Sequence, residues 1–203
     1  MTTSFDSQAD LFGTPAADAA PALPEGWRYA ADFISAADEA ALLATIATMP
    51  LQEARYKAWT AKRRTANFGT AYDYDTHELL ARTEVPESLH GLRARAAAWV
   101  GLPDDAFSSA LVAEYRPGTP LGWHRDAPDF DRVAGVSLGG RARMRFRPYR
   151  RNEPRGRDKP LVLDLEPRSA YQMNGASRWR WQHSIPPTPE LRYSITFRTL
   201  RKN

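Results

Sequence analysis

The chain has 203 residues, a length that supports one globular domain with a sizeable hydrophobic core. It contains no cysteine, which excludes disulfides, zinc–thiolate sites, iron–sulfur clusters and thiol nucleophiles and fits a reducing cytoplasm. The net charge is +4, yet residues 141–159 alone carry +7, which leaves −3 for the remainder. This distribution is typical of a polyanion binder, although a solvated basic loop has the same composition.

The sequence also bears on targeting and on disorder at the N-terminus. No apolar run is long enough to span a membrane, and the N-terminus lacks the basic and apolar regions of a signal peptide. We therefore expect a soluble, cytoplasmic protein. Residues 1–24 are rich in alanine, proline and small polar residues without periodicity, which predicts a disordered tail ahead of a single domain over residues 25–203.

Two helices are predicted in the first half of the domain. After a short strand over residues 26–33, Ser35 and Asp38 form the capping-box pattern that begins a helix. A second helix is predicted over residues 86–100, where apolar residues recur at helical spacing and a glycine follows. Residues 51–78 between the helices are polar and aromatic, and no regular element is predicted there.

The second half of the domain is predicted to be rich in β-structure. Short segments separated by proline and glycine turns predict strands near residues 110–115, 132–138, 143–148, 161–165, 169–173, 179–185 and 191–200. A continuous run of short strands favours a sandwich, barrel or jelly roll, with the two helices buttressing one face. The predicted fold class is therefore α+β.

A candidate metal site lies in the segment Trp123–Asp126. Residues i and i+2 of a strand point the same way, so His124 and Asp126 would both face the interior. One imidazole and one carboxylate are two of the three ligands in the facial triad of non-haem Fe(II) oxygenases. His183 is the only later histidine and is the candidate third ligand. Alone, His-x-Asp also occurs by chance in ordinary loops.

The segment Leu191–Arg198 is a candidate anion site. Strand alternation places Arg192, Ser194, Thr196 and Arg198 on one face, and apolar residues on the other. Two arginines on an interior face need an anion, because unpaired buried charge is costly. With backbones about 20 Å apart, two long side chains leaning inward would suit a short dicarboxylate. The alternative is one exposed arginine and one paired with a protein carboxylate.

Together these motifs resemble the signature of the AlkB family of Fe(II)- and 2-oxoglutarate-dependent dioxygenases. The matching segments are His124-x-Asp126, His183 and Arg192-Tyr-Ser-Ile-Thr-Phe-Arg198, flanked by Glu114–Gly118 and Val136–Gly139. The resemblance covers roughly residues 27–201, and the combination is far more specific than any single motif. It implies a double-stranded β-helix, or jelly-roll, core.

The resemblance also implies the cofactors and the residues that hold them. Fe(II) would be bound by His124, Asp126 and His183. The co-substrates would be 2-oxoglutarate and O2, with Arg192 and Tyr115 at the distal carboxylate and Arg198 near the keto-acid end. Two asparagines common in the family are replaced by Ala113 and Ser194, which removes hydrogen bonds to the co-substrate but leaves the ionic contacts.

The implied reaction is oxidative dealkylation of nucleic-acid bases, releasing formaldehyde, succinate and CO2. A base inside a duplex cannot reach a buried iron, so single-stranded or base-flipped DNA is expected, with RNA as the other polymer. The family has a nucleotide-recognition lid near residues 55–75, and the candidate base-contacting residues there are Trp59, Phe68, Tyr72 and Tyr74. Arg151 resembles a substrate-contacting arginine. The alternatives are aromatic residues that pack the lid onto the sheet and an arginine that is merely exposed.

Other interpretations remain open from the sequence alone. Gln8–Phe12 in the tail is similar to peptides that bind the bacterial sliding clamp, although a pentapeptide also arises by chance. One alternative is an oxygenase with the same chemistry that acts on protein side chains. The other is a catalytically silent protein that binds iron or 2-oxoglutarate as a sensor. The basic segment argues against the first, and the intact set of candidate ligands against the second. A monomer is expected.

Overall fold

The computed structural model describes residues 23–56, 59–73, 76, 78–79, 83–150 and 159–202, without the side chains of residues 54–56, 59–61 and 73. The predicted tail therefore lies almost entirely outside the described residues, and so do Gln8–Phe12, Tyr74 and Arg151. Within the described residues, no helix is both long enough and apolar enough to cross a membrane.

Both predicted helices are confirmed. Helix α1 (Ala36–Ala47) begins at Ser35, whose hydroxyl accepts a hydrogen bond from the Asp38 amide while the Asp38 carboxylate accepts one from the Ser35 amide, each at 3.1 Å. Helix α2 (His90–Trp99) follows a single 3-10 turn at Glu87–Leu89.

The strands form two main sheets. In chain order they are β1 (Trp27–Ala30), β2 (Gln52–Tyr56), β3 (Trp59–Gly69), β4 (Tyr72–Asp73), β5 (Glu78–Leu79), β6 (Ser109–Tyr115), β7 (Leu121–His124), β8 (Phe130–Gly139), β9 (Ala142–Pro148), β10 (Leu161–Leu165), β11 (Ala170–Met173), β12 (Trp181–Ile185) and β13 (Arg192–Leu200). The larger sheet has the order β1-β11-β8-β13-β6-β3-β2 and the smaller one β10-β9-β12-β7, while β4 and β5 pair separately. All the pairs within these sheets are antiparallel.

Three parts of the predicted layout are wrong. Residues 51–78 are not irregular, because β2 and the eleven-residue β3 extend the larger sheet beyond β6. The strand predicted from residue 179 begins at Trp181, since Gly175, with φ of 53°, precedes a short helix α3 (Ala176–Trp179). Strand β7 ends at His124, so Asp126 lies in the loop that follows it.

The larger sheet packs helices on one face and the smaller sheet on the other. On the first face, Leu42 of α1 and Leu92 of α2 belong to one apolar cluster with Val112 and Ile195 of the sheet. Fully burying each such side chain contributes about 1.5–3 kcal/mol. The second face meets the smaller sheet through another cluster, which contains Trp27, Tyr115, Met144, Phe146 and Leu165. Strand alternation therefore gives the larger sheet two distinct faces, one against the helices and one against the smaller sheet.

Candidate active site

His124, Asp126 and His183 lie together between the two sheets. His124 on β7 is directly opposite His183 on β12, and their ring centroids are 4.2 Å apart. The loop after β7 brings Asp126 Oδ2 to 3.9 Å from His183 Nε2. Nδ1 of His124 lies 2.8 Å from the carbonyl oxygen of Gly122. If Nδ1 donates there, Nε2 keeps its lone pair for a metal ion.

The two imidazoles are neutral at physiological pH. Burial and the nearby His124 together lower the pKa of His183 to about 3, against the opposing effect of Asp126. Burial also lowers the pKa of His124, against the opposing effect of Asp126. Metal coordination requires a neutral imidazole, so neither ring has to lose a proton first.

Asp126 is held as an ionised carboxylate with one oxygen unused. Burial alone would raise its pKa, but Arg198, the two histidines and Arg178 together outweigh that effect and hold the pKa well below its usual range. Arg198 donates to Asp126 Oδ1 from Nε at 2.9 Å and from Nη2 at 2.8 Å. Oδ2 is buried and has no hydrogen-bond partner within the described part of the chain. A buried carboxylate oxygen without a partner is costly unless a cation occupies the space beside it.

This donor set fits Fe(II) by chemistry: two neutral imidazoles and one carboxylate, with an orphaned oxygen aimed among them. No three histidine or acidic side chains among the described residues already converge closely enough to enclose an ion.

A buried arginine from α3 fixes the loop that carries Asp126. Arg178 is only 2 % exposed, and its Nη2 lies within hydrogen-bond distance of the carbonyl oxygens of Asp126 at 3.3 Å, Ala127 at 2.6 Å and Phe130 at 2.7 Å. The next residue, Trp179, donates from its indole nitrogen to Asp131 at 3.1 Å. The loop conformation thus depends on α3, which sequence analysis did not predict.

Arg192 is a pocket cation without a carboxylate partner among the residues that the structure describes. It is 1 % exposed, its Nε donates to the Ser137 hydroxyl at 3.0 Å, and its Nη1 has no hydrogen-bond partner among those residues. Its guanidinium lies 5.0 Å from the ring centre of Tyr115, the residue opposite it on β6. A fully buried guanidinium bonded only to neutral groups requires an anionic ligand to offset its desolvation. Arg198, at the other end of the same strand face, is instead paired with Asp126.

The predicted division of β13 into two faces is confirmed. Arg192, Ser194, Thr196 and Arg198 line the pocket, while Tyr193, Ile195 and Phe197 belong to the helix-side cluster. Asp126 and His183 line the same pocket, and so does Tyr115. The expected ligands and co-substrate residues therefore share one cavity.

Comparison with known proteins assigns this arrangement to a family. The model of the 2OG-Fe(II) oxygenase superfamily matches residues 27–198, which is most of the chain. This chain belongs to that superfamily. The oxygenase is 34 % identical to the alpha-ketoglutarate-dependent dioxygenase AlkB of Escherichia coli K12 over 129 residues, covering 58 % of this chain and 57 % of AlkB.

Other relatives are more distant. An alkylated DNA repair protein ALKBH8 homolog of Arabidopsis thaliana is 27 % identical over 76 % of this chain and 49 % of its own length. The tRNA (carboxymethyluridine(34)-5-O)-methyltransferase alkbh8 of Xenopus tropicalis is 26 % identical, and the match covers 82 % of this chain and 26 % of that protein. The oxygenase thus spans about half the length, or less, of these curated relatives.

Solved structures share the jelly-roll fold. The structure of OsALKBH1 superposes with a TM-score of 0.68 at 16 % identity, covering 88 % of this chain and 98 % of that one. A 2OG-Fe(II) oxygenase family oxidoreductase from Burkholderia pseudomallei superposes with a TM-score of 0.60 at 17 % identity, covering 88 % of this chain and 86 % of that one. The expected double-stranded β-helix is confirmed.

The structure places Phe68, a predicted base-contacting residue, on the helix side of its strand. Phe68 of β3 is opposite Ala110 of β6 and packs into the helix-side cluster, so it does not face the pocket of the oxygenase. This is the alternative in which an aromatic residue packs against the sheet, and it could not be chosen while β3 was not recognised as a strand. Tyr72 is half-buried and does not line the pocket, and Trp59 is described only by its backbone in β3.

Arg63, Thr65 and Asn67, on the opposite face of β3, were not among the predicted site residues. Thr65 and Asn67 are paired with Ala113 and Leu111, which line the pocket, and Arg63 lines it directly. Burial would raise the pKa of Tyr115, but Arg63 and then Arg192 outweigh it and hold that pKa below its usual value. Two cations thus flank one buried phenol.

Proposed function

We propose that this oxygenase binds Fe(II) through His124, Asp126 and His183 and uses 2-oxoglutarate and O2 to remove alkyl groups from nucleic-acid bases. The single observation that carries the proposal is a pair of unsatisfied groups of opposite charge in one pocket. Among the described residues, Asp126 Oδ2 is buried without a hydrogen-bond partner at one end, and the Arg192 guanidinium is buried without a carboxylate at the other. A metal cation beside Asp126 together with a dicarboxylate at Arg192 would satisfy both groups at once.

The chemistry and the work of the protein are separable. Fe(II), when bound, would supply the oxidation of an N-methyl group by O2, with 2-oxoglutarate converted to succinate and CO2 and the methyl carbon released as formaldehyde. Arg192 holds the distal carboxylate and orients the co-substrate along β13. Arg198 keeps Asp126 ionised, and the buried histidines remain neutral. The apolar cluster between the sheets excludes water from this end of the cavity.

Nucleic acid is the proposed substrate class for two reasons. The relatives include a dioxygenase of the AlkB type and a protein named for alkylated DNA repair, both of which align with this chain. The charge of +7 over residues 141–159 gives this chain its own reason to attract phosphates. The proposed substrate is single-stranded or base-flipped DNA, with RNA as the alternative polymer, and the proposed setting is a cytoplasmic monomer. Docking of Gln8–Phe12 on the sliding clamp is a separate proposal that a pull-down with the tail deleted would test.

Succinate formation tests the proposal and separates its rivals. Purified protein with Fe(II) and labelled 2-oxoglutarate should release succinate faster when a methylated oligonucleotide is added than when its unmethylated twin is added. His183→Ala should abolish this release while leaving the unfolding transition in place, because the jelly-roll core does not require the ion. Stimulation by a protein substrate alone would favour the side-chain oxygenase. Binding of 2-oxoglutarate without any stimulated turnover would favour the sensor.

A further inference from the structure

Three arginines project from the outward face of β9, and a fourth, Arg141, is exposed just before the strand begins. Ala142, Met144 and Phe146 are buried toward the smaller sheet's inner side, so strand alternation turns Arg143, Arg145 and Arg147 to the outside. These arginines lie within the basic segment that the sequence singles out, but the catalytic pocket does not use them.

The four arginines fall into two chemically different pairs. Arg141 is ion-paired with Glu166 at 3.2 Å and Arg143 with Asp164 at 3.3 Å. Arg145 and Arg147 have only neutral hydrogen-bond partners within the part of the chain that the structure describes. Nε of Arg145 donates to the Ser184 hydroxyl at 3.1 Å, and Nε of Arg147 donates to the Gln182 side-chain oxygen at 2.9 Å. Among the described residues, Arg145 and Arg147 are therefore the pair whose charge no carboxylate offsets.

Both of these arginines stack on one indole. The guanidinium carbons of Arg145 and Arg147 lie 5.1 and 4.3 Å from the ring centre of Trp123 on β7. The cation–π contacts and the Nε hydrogen bonds already restrict both guanidinium groups, so binding a ligand through the remaining N–H groups orders these side chains less. Arg145, Arg147 and Trp123 are called the arginine–tryptophan face below.

This face leads toward the metal-binding residues. Trp123 immediately precedes His124, and the two side chains point to opposite sides of the smaller sheet. Just past the end of β9, Arg125 stacks on Tyr149 at 3.6 Å, and Arg125 lies between His124 and Asp126 in sequence. Arginine–aromatic pairs therefore run from the middle of β9 to the loop of the candidate metal site.

We propose that the arginine–tryptophan face binds the sugar–phosphate backbone of single-stranded nucleic acid flanking the base that enters the pocket. Pre-organised guanidinium groups suit phosphates, and planar guanidinium–indole layers suit the faces of unstacked bases. A duplex has phosphates but no unstacked bases, and an acidic protein has negative charge but no bases. A single strand offers both phosphates for the guanidinium groups and exposed base faces for stacking. This inference rests on the proposed nucleic-acid function and assigns a surface to it.

The test compares two double variants with the same change in charge. Arg145→Gln with Arg147→Gln removes the uncompensated pair, and Arg141→Gln with Arg143→Gln is the matched control at the start of the same strand. Affinity for an unmethylated single-stranded oligonucleotide, measured by fluorescence anisotropy, should fall on the order of tenfold at 0.15 M salt in the first variant only. The slope of log affinity against log salt should become shallower by about 1.4, or about 0.7 for each phosphate that an arginine no longer neutralises.

Two further measurements keep the outcome decisive. Unfolding temperatures of both variants should match the parent, and turnover of a methylated free nucleoside should be unchanged. Arg145→Lys with Arg147→Lys should recover part of the affinity, since charge returns without the planar fork. Equal reductions of affinity in the two Gln variants, tighter binding of a duplex, or equal binding of polyglutamate would overturn the assignment. Anisotropy requires no catalysis, so these outcomes are distinct from a failure to release succinate, which would overturn the proposed function instead.

Discussion

Arg192 is a buried charge that lowers the stability of the fold in the absence of a ligand. Its guanidinium is fully buried, donates to one hydroxyl and leaves Nη1 unsatisfied by the described residues. Burying a charge without a counter-ion destabilises a fold, and an apolar replacement of similar volume often stabilises it. The cost is offset only when an anion binds, which is the behaviour expected of a residue retained for ligand binding rather than for folding.

Arg192→Met should therefore separate the two roles. Without ligand, its free energy of unfolding should rise by about 1 kcal/mol or more, because the unpaired charge is gone. The apparent Michaelis constant for 2-oxoglutarate should rise roughly 10- to 150-fold, corresponding to removal of about 1.5–3 kcal/mol of charged hydrogen bonding. Thermal unfolding with Mn(II), with and without 2-oxoglutarate, and steady-state kinetics measure the two effects.

Arg192→Lys is the matched control for that variant. A point charge cannot reproduce the bidentate fork, so it should recover part of the affinity but none of the added stability. An unchanged Michaelis constant in both variants would show that another group, such as Arg63, anchors the co-substrate.

At the scale of elements, strand β3 explains which site residues the sequence could reveal. His124, Asp126, His183 and Arg192 were predictable, because few residue types ligate iron or bind carboxylates and alternation on β13 is regular. The packing of Phe68 on the helix side was not predictable, because β3 is rich in polar residues and lacks the apolar alternation that marks a half-buried strand.

Arg178 was not predictable for a different reason. Its partners are backbone carbonyl oxygens about 50 positions away in the chain, and no residue pattern identifies an acceptor that every residue carries. The helices and most strands of the second half were predictable because caps, turns and periodicity are local signals.

The two faces of β3 can be separated by adjacent substitutions. Phe68→Ala should lower the free energy of unfolding by about 1–3 kcal/mol, since Phe68 packs into the helix-side cluster, and leave the Michaelis constant for a methylated oligonucleotide unchanged. Asn67→Ala should raise the Michaelis constant for the methylated oligonucleotide. It should change the free energy of unfolding by no more than about 0.5 kcal/mol, because Asn67 is exposed on the pocket side. Urea unfolding and initial-rate kinetics on the same preparations decide it. A stable Phe68→Ala with impaired substrate use would restore Phe68 as a base-contacting residue.

At the scale of the whole molecule, the larger sheet divides stability from chemistry. Its helix-side face is an apolar cluster, whereas its inner face gathers Arg192, Arg198 and Tyr115 around Asp126 and the histidines. These inner groups are desolvated together, so their ionisation states are coupled to folding. The packed helix-side core supplies the stability that tolerates this polar interior.

Acid should therefore destabilise the metal-free protein before its carboxylates titrate. The folded pKa of His183 is about 3, and burial also lowers that of His124, whereas a histidine in the unfolded chain titrates near 6.5. Between these values the unfolded chain binds protons that the folded chain does not, so the free energy of unfolding falls as pH falls through 6.5. The pKa of Asp126 is also lowered, and its contribution is lost only below about pH 4, in the same direction. The window from pH 6.5 to 5 thus isolates the histidines, with a slope of at most about 1.4 kcal/mol per pH unit for each.

Urea unfolding in the presence of a chelator measures the slope of the free energy of unfolding against pH, which should be shallower in His183→Gln. Identical slopes in the two proteins would show that His183 does not remain neutral when the protein is folded.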